Sequence, residues 1–333
     1  MQENPGPQLP YGTQPPGRPA YPYQPPPAPA REPWFRPMPR GARYDYLARV
    51  GDRGAWPEIV GTIMVGVAFF VVGAVVIGVG VLLATILGIR SSLTTGELFS
   101  DPVFSLVVLL LSIAAVLPAV FGTAALIQRR RPGSLSSVAG RLRWGWLLRC
   151  LAVAVIALVL GQAAQTAAMM VTREPVANMF GWAGWSAFLP PLIAIVLLVP
   201  LQAATEEYIF RGWIMQAFGA HLRSPIWGIV LGSALFASLH GYSWIGLIDV
   251  FCFGALMAWL AVRTGGLEAP IALHVTNNIL AFGISAAAGH LEKALQQGEV
   301  PWQALAGTVV QLGTYAVGVL YLAKKRSVSD VSG

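Results

Sequence analysis

The run IVGTIMVGVAFFVVGAVVIGVGVLLATILGI, from Ile59 to Ile89, contains no charged side chain. About 20 consecutive apolar residues are enough to cross the hydrocarbon core of a bilayer as an α-helix. Two further uncharged runs, Pro102 to Gln128 and Cys150 to Thr172, are also long enough. These runs predict transmembrane helices.

The composition of the whole chain agrees with this prediction. Of the 333 residues, 55% are hydrophobic and 11% are charged, and the mean hydropathy is +0.62. A soluble domain contains about 25% charged residues. The pattern predicts an all-α polytopic transmembrane helix bundle of about eight spans, at residues 59–88, 103–127, 147–171, 188–216, 226–242, 244–262, 267–288 and 303–323.

The net charge of +7 is distributed unevenly between the loops. If the N-terminus lies inside the cell, 18 of the 22 lysines and arginines fall in cytoplasmic segments and three in outer loops. Cytoplasmic loops of membrane proteins carry such an excess of basic residues. We therefore predict a multi-pass protein of the cell membrane with both termini cytoplasmic. The basic excess reflects this topology, and no nucleic-acid partner is expected.

The composition also divides the chain into four segments. Residues 1–57 are predicted to be a proline-rich, disordered cytoplasmic tail and linker, because 14 prolines among residues 1–40 cannot bury a core. This tail is either a passive tether or a docking segment for a proline-recognising partner. Residues 58–180 are predicted to be a transmembrane scaffold of three spans. Residues 181–323 form a second transmembrane domain of five spans, and residues 324–333 form a basic cytoplasmic tail.

The second transmembrane domain contains an unusual group of charges, Glu206, Glu207 and Arg211. Each charge costs roughly 2.5–3.5 kcal/mol in the bilayer on insertion scales. Glu207 and Arg211 are four residues apart, so they share a helix face and can form an ion pair. Glu206 lies about 100° away around the helix and has no local counter-charge. Glu206 is therefore expected to be the better proton acceptor.

Two more polar clusters follow on later spans. FASLH ends at His240, and HVTNN begins at His274, with Asn278 four residues later on the same helix face. Each cluster alone is compatible with a simple hydrogen bond between helices. Together they supply the groups of a water-activating hydrolase. Glu206 would be the general base, His240 would orient water or pass on the proton, and His274 and Asn278 would donate hydrogen bonds to an oxyanion.

The three clusters, in this order, resemble the motifs of the CPBP family, the CAAX-processing and bacteriocin-processing intramembrane proteases. The matching motifs are EExxxR (Glu206, Glu207, Arg211), FxxxH (Phe236, His240) and HxxxN (His274, Asn278). The stretch RTGGLEAPIALHVTNN resembles the family's segment before its last motif, and the resemblance covers about residues 185–290.

The resemblance implies an intramembrane endopeptidase that cuts a membrane-associated peptide or protein, of the CAAX type or the bacteriocin-leader type. It implies that Glu206 and His240 activate water, that His274 and Asn278 line the oxyanion site, and that Glu207 and Arg211 are a supporting pair. Residues 181–323 would then be the catalytic domain. The expected partners are the substrate and membrane lipid.

The resemblance leaves the cofactor open, because the family is described both as metalloproteases and as glutamate-type proteases. The chain has no HExxH motif, which would place two histidines and a glutamate on one helix face. We therefore expect no cofactor. The alternative is a zinc ion held by Glu206, His240 and His274 with one open coordination position.

Two other functions fit the same residues. In a proton-coupled transporter, Glu206, His240 and His274 would form a proton relay. In a non-catalytic immunity or scaffold protein, the motifs would act by binding alone. Asp249 is the one intramembrane acid outside the motifs. It is expected to form a hydrogen bond between helices or to lie near the outer interface.

Overall fold

A computed structural model describes residues 33–50, 54–91, 98–176 and 181–333, together with residues 2, 6 and 12. In these residues the protein is an all-α polytopic bundle, and its β-type pairing is limited to isolated bridges. The helices are α1 (Trp56–Leu87), α2 (Pro102–Ala114), α3 (Leu117–Leu126), α4 (Trp144–Val171), α5 (Trp185–Glu207), α6 (Met215–His221), α7 (Ile226–Ser238), α8 (Trp244–Thr264), α9 (Glu268–Ala287), α10 (Leu291–Gln296) and α11 (Ala304–Lys325). A π-helical turn, Tyr208–Ile214, joins α5 to α6.

Seven helical stretches of the described residues are long and apolar enough to cross a membrane. One combines α2 with α3, and another runs without interruption from Trp185 to His221. Helix α7 is apolar but has only 13 residues. Its length is about 20 Å, whereas the hydrocarbon core is about 30 Å thick. Each predicted span is thus present as a helix. The fourth extends to His221 rather than residue 216, and the fifth ends at Ser238 rather than residue 242.

The two ends of the described chain meet at one end of the bundle. The Gly41 N–H donates to the Ser332 carbonyl oxygen over 2.8 Å, and the Ser332 N–H donates to the Ala42 carbonyl oxygen over 2.9 Å. A chain that returns to its starting side has crossed the membrane an even number of times. The predicted count of eight, which includes the short helix α7 and the residues after it, meets this condition.

Exposed tryptophans mark the two membrane boundaries. Trp56, Trp144 and Trp227 lie at the end of the bundle that carries both termini, and Trp185, Trp244 and Trp302 lie at the opposite end. Each of these six side chains is more than half exposed. Tryptophan is enriched at membrane–water interfaces because its ring is amphipathic. The apolar surface between these two sets of tryptophans is therefore the belt that faces lipid.

Residues 34–50, from the predicted disordered tail and linker, are packed against the bundle. Tyr44 and Asp45 are wholly buried, and the Tyr44 hydroxyl donates to the Leu135 carbonyl oxygen over 2.5 Å. Gly219 permits this contact, because a Cβ there would lie 1.9 Å from the Asp45 carbonyl oxygen. We call residues 34–50, 127–143 and 326–332 the cap. Most of the proline-rich residues before Pro33 lie outside the described residues.

A buried arginine joins the cap to α6. The Arg130 guanidinium donates to the side-chain oxygens of Gln128 and Gln216, and the Gln216 amide donates to the Ser134 carbonyl oxygen over 2.9 Å. Burial lowers the pKa of Arg130 to about 10. The hydrogen bonds compensate for placing this charge away from water. They fix the loop after α3 against the helix that continues from α5.

Helices α4 and α11 pack closely because glycines lie between them. A Cβ at Gly161 would be 2.9 Å from the Gly307 carbonyl oxygen, and a Cβ at Gly307 would be 2.8 Å from the Gly161 carbonyl oxygen. Small residues allow such close approach of helix backbones in membranes. Residues 34–333 consequently form one compact unit. The predicted scaffold and catalytic domains are two parts of this unit.

Candidate active site

Helices α5 and α9 run antiparallel and are joined by three polar contacts. Near the end of α5, the Gln202 side-chain oxygen accepts a hydrogen bond from Asn278 Nδ2 over 3.2 Å. One turn later, Glu206 Oε2 lies 3.4 Å from His274 Nε2. Residues four apart lie on the same helix face. The pairs 202 with 206 and 274 with 278 therefore face each other across one interface.

Glu207 binds two partners in the interior. Its Oε1 accepts from Arg211 Nη1 over 2.9 Å and from His274 Nδ1 over 2.7 Å. The side chain is 0% exposed in Glu207 and 1% exposed in Arg211, whereas it is 11% exposed in Glu206. The ion pair expected from the four-residue spacing is present. Glu206 is the glutamate that a molecule in the site can reach.

The hydrogen bonds determine where His274 carries its proton. Glu207 is paired with Arg211 and acts as an ionised acceptor, so His274 Nδ1 donates to it and carries a proton. His274 Nε2 then faces Glu206 Oε2. The two atoms are 3.4 Å apart, which is within ion-pair distance. Glu206, which was expected to lack a local counter-charge, receives this partner from α9.

The π-helical turn begins directly after Glu207 and contains Arg211. Single π-helical turns inside α-helices are rare and occur frequently at functional sites. The free edge of the Arg211 guanidinium faces α8, where a Cβ at Gly254 would lie 2.8 Å from Nη2. Glycine at this position lets α8 approach the buried ion pair.

His240 lies just after α7 and is oriented by its own helix. Its Nδ1 is 2.9 Å from the Phe236 carbonyl oxygen. A carbonyl only accepts, so Nδ1 carries the proton and Nε2 is left as an acceptor. In the described residues, no hydrogen bond or ion pair joins His240 to Glu206. The expectation that Glu206 and His240 act together on water stays a prediction.

Phe236 explains the aromatic position of the FxxxH motif. Its ring centroid is 4.8 Å from the His240 ring and 6.0 Å from the His274 ring. The Arg211 guanidinium lies 4.1 Å from the centroid of the same ring. Phe236 thus separates the two histidines and covers the ion pair.

The site lies inside the membrane region, nearer the cap. Gly228, beside the boundary residue Trp227, packs against Met215. Nine residues separate Met215 from Glu206, which corresponds to about 13 Å of helix, and Trp185 is about 30 Å away in the other direction. The continuation of the fourth span to His221 and the shortness of α7 bring His240 towards the level of Glu206.

The residues fit the zinc alternative only in part. Glu206 and His274 lie close together, but in the described part of the chain no three His, Cys, Asp or Glu side chains are grouped to hold a metal ion. His240 is the member that does not join the other two. We therefore derive no step through a metal, and the cofactor stays a prediction.

Two positioning groups were not found from the sequence. Gln202 was not singled out, although it bonds Asn278. Glu268, which lies outside the motifs, is wholly buried and accepts from Arg143 Nε and Nη2 over 2.8 and 2.7 Å. This pair anchors the start of α9, which carries His274. The sequence signal that could have identified Glu268 was a charged residue close to two consecutive glycines, Gly265 and Gly266.

Residues 185–280 match the family model of the type II CAAX prenyl endopeptidases, described as Rce1-like. The match extends from the start of α5 into α9 and includes all three polar clusters. These residues are a CPBP-family domain.

Two curated relatives are similar to this chain over part of their length. An uncharacterized protein, YyaK, from Bacillus subtilis (strain 168) is 33% identical over 102 residues, which are 28% of this chain and 34% of the relative. An uncharacterized 24.3 kDa protein from Escherichia coli is 29% identical over 135 residues, which are 39% of this chain and 58% of the relative. The chain thus spans about a third of one and somewhat more than half of the other. No solved structure matches it.

Proposed function

We propose that the protein is an intramembrane endopeptidase in which Glu206 activates the water that hydrolyses a peptide bond. The observation that carries this proposal is the position of His274 between Glu206 and the buried Glu207–Arg211 pair. This arrangement keeps one carboxylate accessible beside a proton carrier. The family of residues 185–280 supports the same chemistry.

In the proposed reaction, Glu206 takes a proton from water while the water oxygen bonds to the peptide carbonyl carbon. The negative charge moves to the carbonyl oxygen, where the N–H of Asn278 not used by Gln202 donates a hydrogen bond. The C–N bond then breaks, and protonated Glu206 returns the proton to the leaving amine. Every proton taken from water ends on a product.

The remaining side chains act on Glu206 or on the water. His274, expected at the oxyanion, acts in this proposal beside Glu206, and its Nε2 lies 3.4 Å from Glu206 Oε2. The lone pair of His240 Nε2 is available to accept a hydrogen bond from the attacking water. Glu207 and Arg211 position His274. In this proposal no metal takes part, and metal analysis of the purified protein, with cleavage measured after chelation, tests that element.

The test compares the wild type with Glu206→Gln in reconstituted membranes, with Glu299→Gln in an exposed loop as the control. Cleavage of membrane-associated peptides is followed by mass spectrometry in water enriched in ¹⁸O. We expect one ¹⁸O atom in the new carboxyl group, for the wild type and Glu299→Gln alone. Net solute flux without cleavage would favour the transporter. Biological activity retained by Glu206→Gln would favour the scaffold.

The substrate is proposed to be a membrane-associated peptide or protein, because the site lies about 13 Å inside the boundary marked by Trp227. A substrate of the CAAX type carries a prenyl group, and a substrate of the bacteriocin-leader type does not. Matched peptides with and without a prenyl group separate them. Faster cleavage of the prenylated peptide supports the CAAX type, and equal or slower cleavage supports the leader type.

Both termini are proposed to be cytoplasmic. The distribution of basic residues and the shared position of the termini at one end of the bundle support this orientation. Arg141→Cys and Glu299→Cys are exposed positions at opposite ends. In intact cells that carry Cys252→Ser, an impermeant thiol reagent should label Glu299→Cys alone. Labelling of Arg141→Cys alone would reverse the orientation.

A further inference from the structure

Burial along α9 changes abruptly at His274. Every residue from Glu268 to His274 is buried, and every residue from 275 to 285 is partly or fully exposed. The start of α9 is held tightly because the Gly265–Gly266 turn joins it to α8. Beyond His274 the residues of α9 are less enclosed by the neighbouring helices. His274 therefore lies where the enclosed part of α9 ends, and we call the partly exposed region between α8, α9 and α11 beyond it the cleft.

Polar side chains line one wall of this cleft. Asp249 on α8 accepts a hydrogen bond from Thr308 on α11, and Gln311 on α11 donates to Asn277 on α9 over 3.2 Å. All four side chains are partly exposed although they lie between helices. Asn277 is only three residues from His274. The polar wall thus extends from near the start of α8 to the candidate active site.

The polar wall is distinct from the lipid-facing surface of the same helices. On α11 the most exposed apolar side chains are Val309 and Val317, each 71% exposed. Thr308 and Gln311 lie on another face of α11, towards α8 and α9. An acidic side chain facing lipid is costly, and intramembrane acids usually face the bundle interior or a water-filled cavity. The position of Asp249 agrees with a side chain that faces the bundle interior or a water-filled cavity, and not lipid.

We propose that the cleft between α8, α9 and α11 is hydrated, and that it brings water to Glu206 and His274 from the end of the bundle opposite the cap. The supply of water for hydrolysis rests on the proposed function. The hydration of the cleft does not. Asp249, which no motif includes, and Asn277 are then the groups that keep the wall polar.

Cysteine accessibility tests hydration without any substrate. Single cysteines replace Asn277 or Thr308 in a full-length Cys252→Ser background, and Val309→Cys on the lipid face is the matched control. A charged, membrane-impermeant thiosulfonate is added to one side of sealed vesicles. We expect Asn277→Cys and Thr308→Cys to react from the side opposite the cap, and Val309→Cys to stay unmodified. No reaction at either cleft position, or reaction only from the cap side, would overturn the proposal.

Turnover tests the role of the water. Asp249→Leu should lower kcat roughly tenfold and leave KM unchanged. Asp249→Asn should retain most activity. Equal activity of Asp249→Leu and wild type would show that the cleft does not limit the water supply. Absence of cleavage by the wild type, together with positive labelling, would reject the proposed function and leave the hydrated cleft intact.

Discussion

Two antiparallel helix pairs of this bundle are held together in opposite ways. Between α4 and α11, Gly161 and Gly307 bring the backbones so close that no Cβ fits. Between α5 and α9, Gln202, Glu206 and Glu207 bind the side chains of Asn278 and His274. The first pair associates through small residues and the second through polar contacts.

The difference shows what each solution provides. Close backbone packing stabilises helices in lipid without desolvating any charge. The polar interface requires buried charges, which are costly unless paired and hydrogen-bonded. Glu207, Arg211 and His274 are paired with one another, although Glu207 Oε2 and Arg211 Nη2 make no hydrogen bond in the described residues, and they leave Glu206 partly accessible. Helices that serve only as lipid-facing scaffold can associate through small residues alone. Helices that carry a reactive site need the polar interface.

The largest expected effect is the loss of the buried charge partner at the polar interface. Glu207→Gln leaves Arg211 without its counter-charge, a change that costs ~3–5 kcal/mol for a buried pair. We expect poor accumulation and a lowered Tm in detergent. Glu299→Gln, in an exposed loop, is the control and should not change Tm. A stable but inactive Glu207→Gln beside an active Glu206→Gln would exchange the roles of the two glutamates.

Glu206→Gln should leave the polar interface folded but remove its chemistry. Loss of a general base lowers turnover by ~10²-fold or more, or about 2.7 kcal/mol of activation free energy. The glutamine retains the size of the side chain, so Tm should change little. Cleavage rate and Tm are measured on the same preparation. Activity within a few-fold of wild type would contradict the assignment of Glu206 as the base.

At the glycine interface, Gly307→Val should overpack the contact with Gly161 and destabilise the protein by ~1–3 kcal/mol. Gly313→Val is the matched control on the same helix, because a Cβ at Gly313 meets nothing within 4 Å. The measurement is Tm in detergent. Equal Tm values for the two variants would show that close backbone approach is not what joins α4 to α11.

Gln202→Leu tests the outermost contact of the polar interface. Hydrogen bonds between transmembrane helices are worth about 0.6 kcal/mol on average, so Tm should fall only slightly. Asn278 loses the partner that orients its amide, so we expect kcat to fall while KM stays unchanged. Gln202→Glu, which keeps an acceptor oxygen, should restore turnover in part. A change in KM alone would indicate contact with the substrate instead.

The smallest effect is expected for residues 2–32. Their composition builds no core, so their deletion should leave Tm and cleavage rate unchanged. Deletion of residues 2–50 is the comparison, because it also removes buried Tyr44 and Leu47. This longer deletion should lower Tm. Loss of cleavage with normal Tm in the shorter deletion would show that the tail recruits a substrate or a proline-recognising partner.

The sequence predicts those features that depend on local spacing. Apolar runs predicted the spans, and the four-residue spacing predicted which side chains of one helix share a face. The contact of His274 with Glu207 joins residues 67 apart in the chain. Its formation depends on the register of α5 against α9, which no local pattern specifies. For the same reason Gln202 could not be recognised as the partner of Asn278.

Two other differences have physical causes of the same kind. The linker 34–50 mixes charges with Tyr44 and Leu47, so its composition alone does not reveal that these side chains are buried. Helix α7 ends at Ser238 and Gly241 follows soon after, whereas hydropathy continues beyond the helix end. Hydropathy measures the cost of water exposure and does not determine where a helix ends.

The hydrogen bonds of Ala42 with Ser332 also constrain the order of assembly. The two residues are 290 positions apart, so Ala42 is synthesised before the first helix and Ser332 after the last. Contacts between residues so distant in sequence form late, because the chain entropy lost in closing the loop must be offset by other structure. The eight helical stretches must therefore insert and associate before the cap can close. An inserted bundle with an open cap is the expected last intermediate in biogenesis.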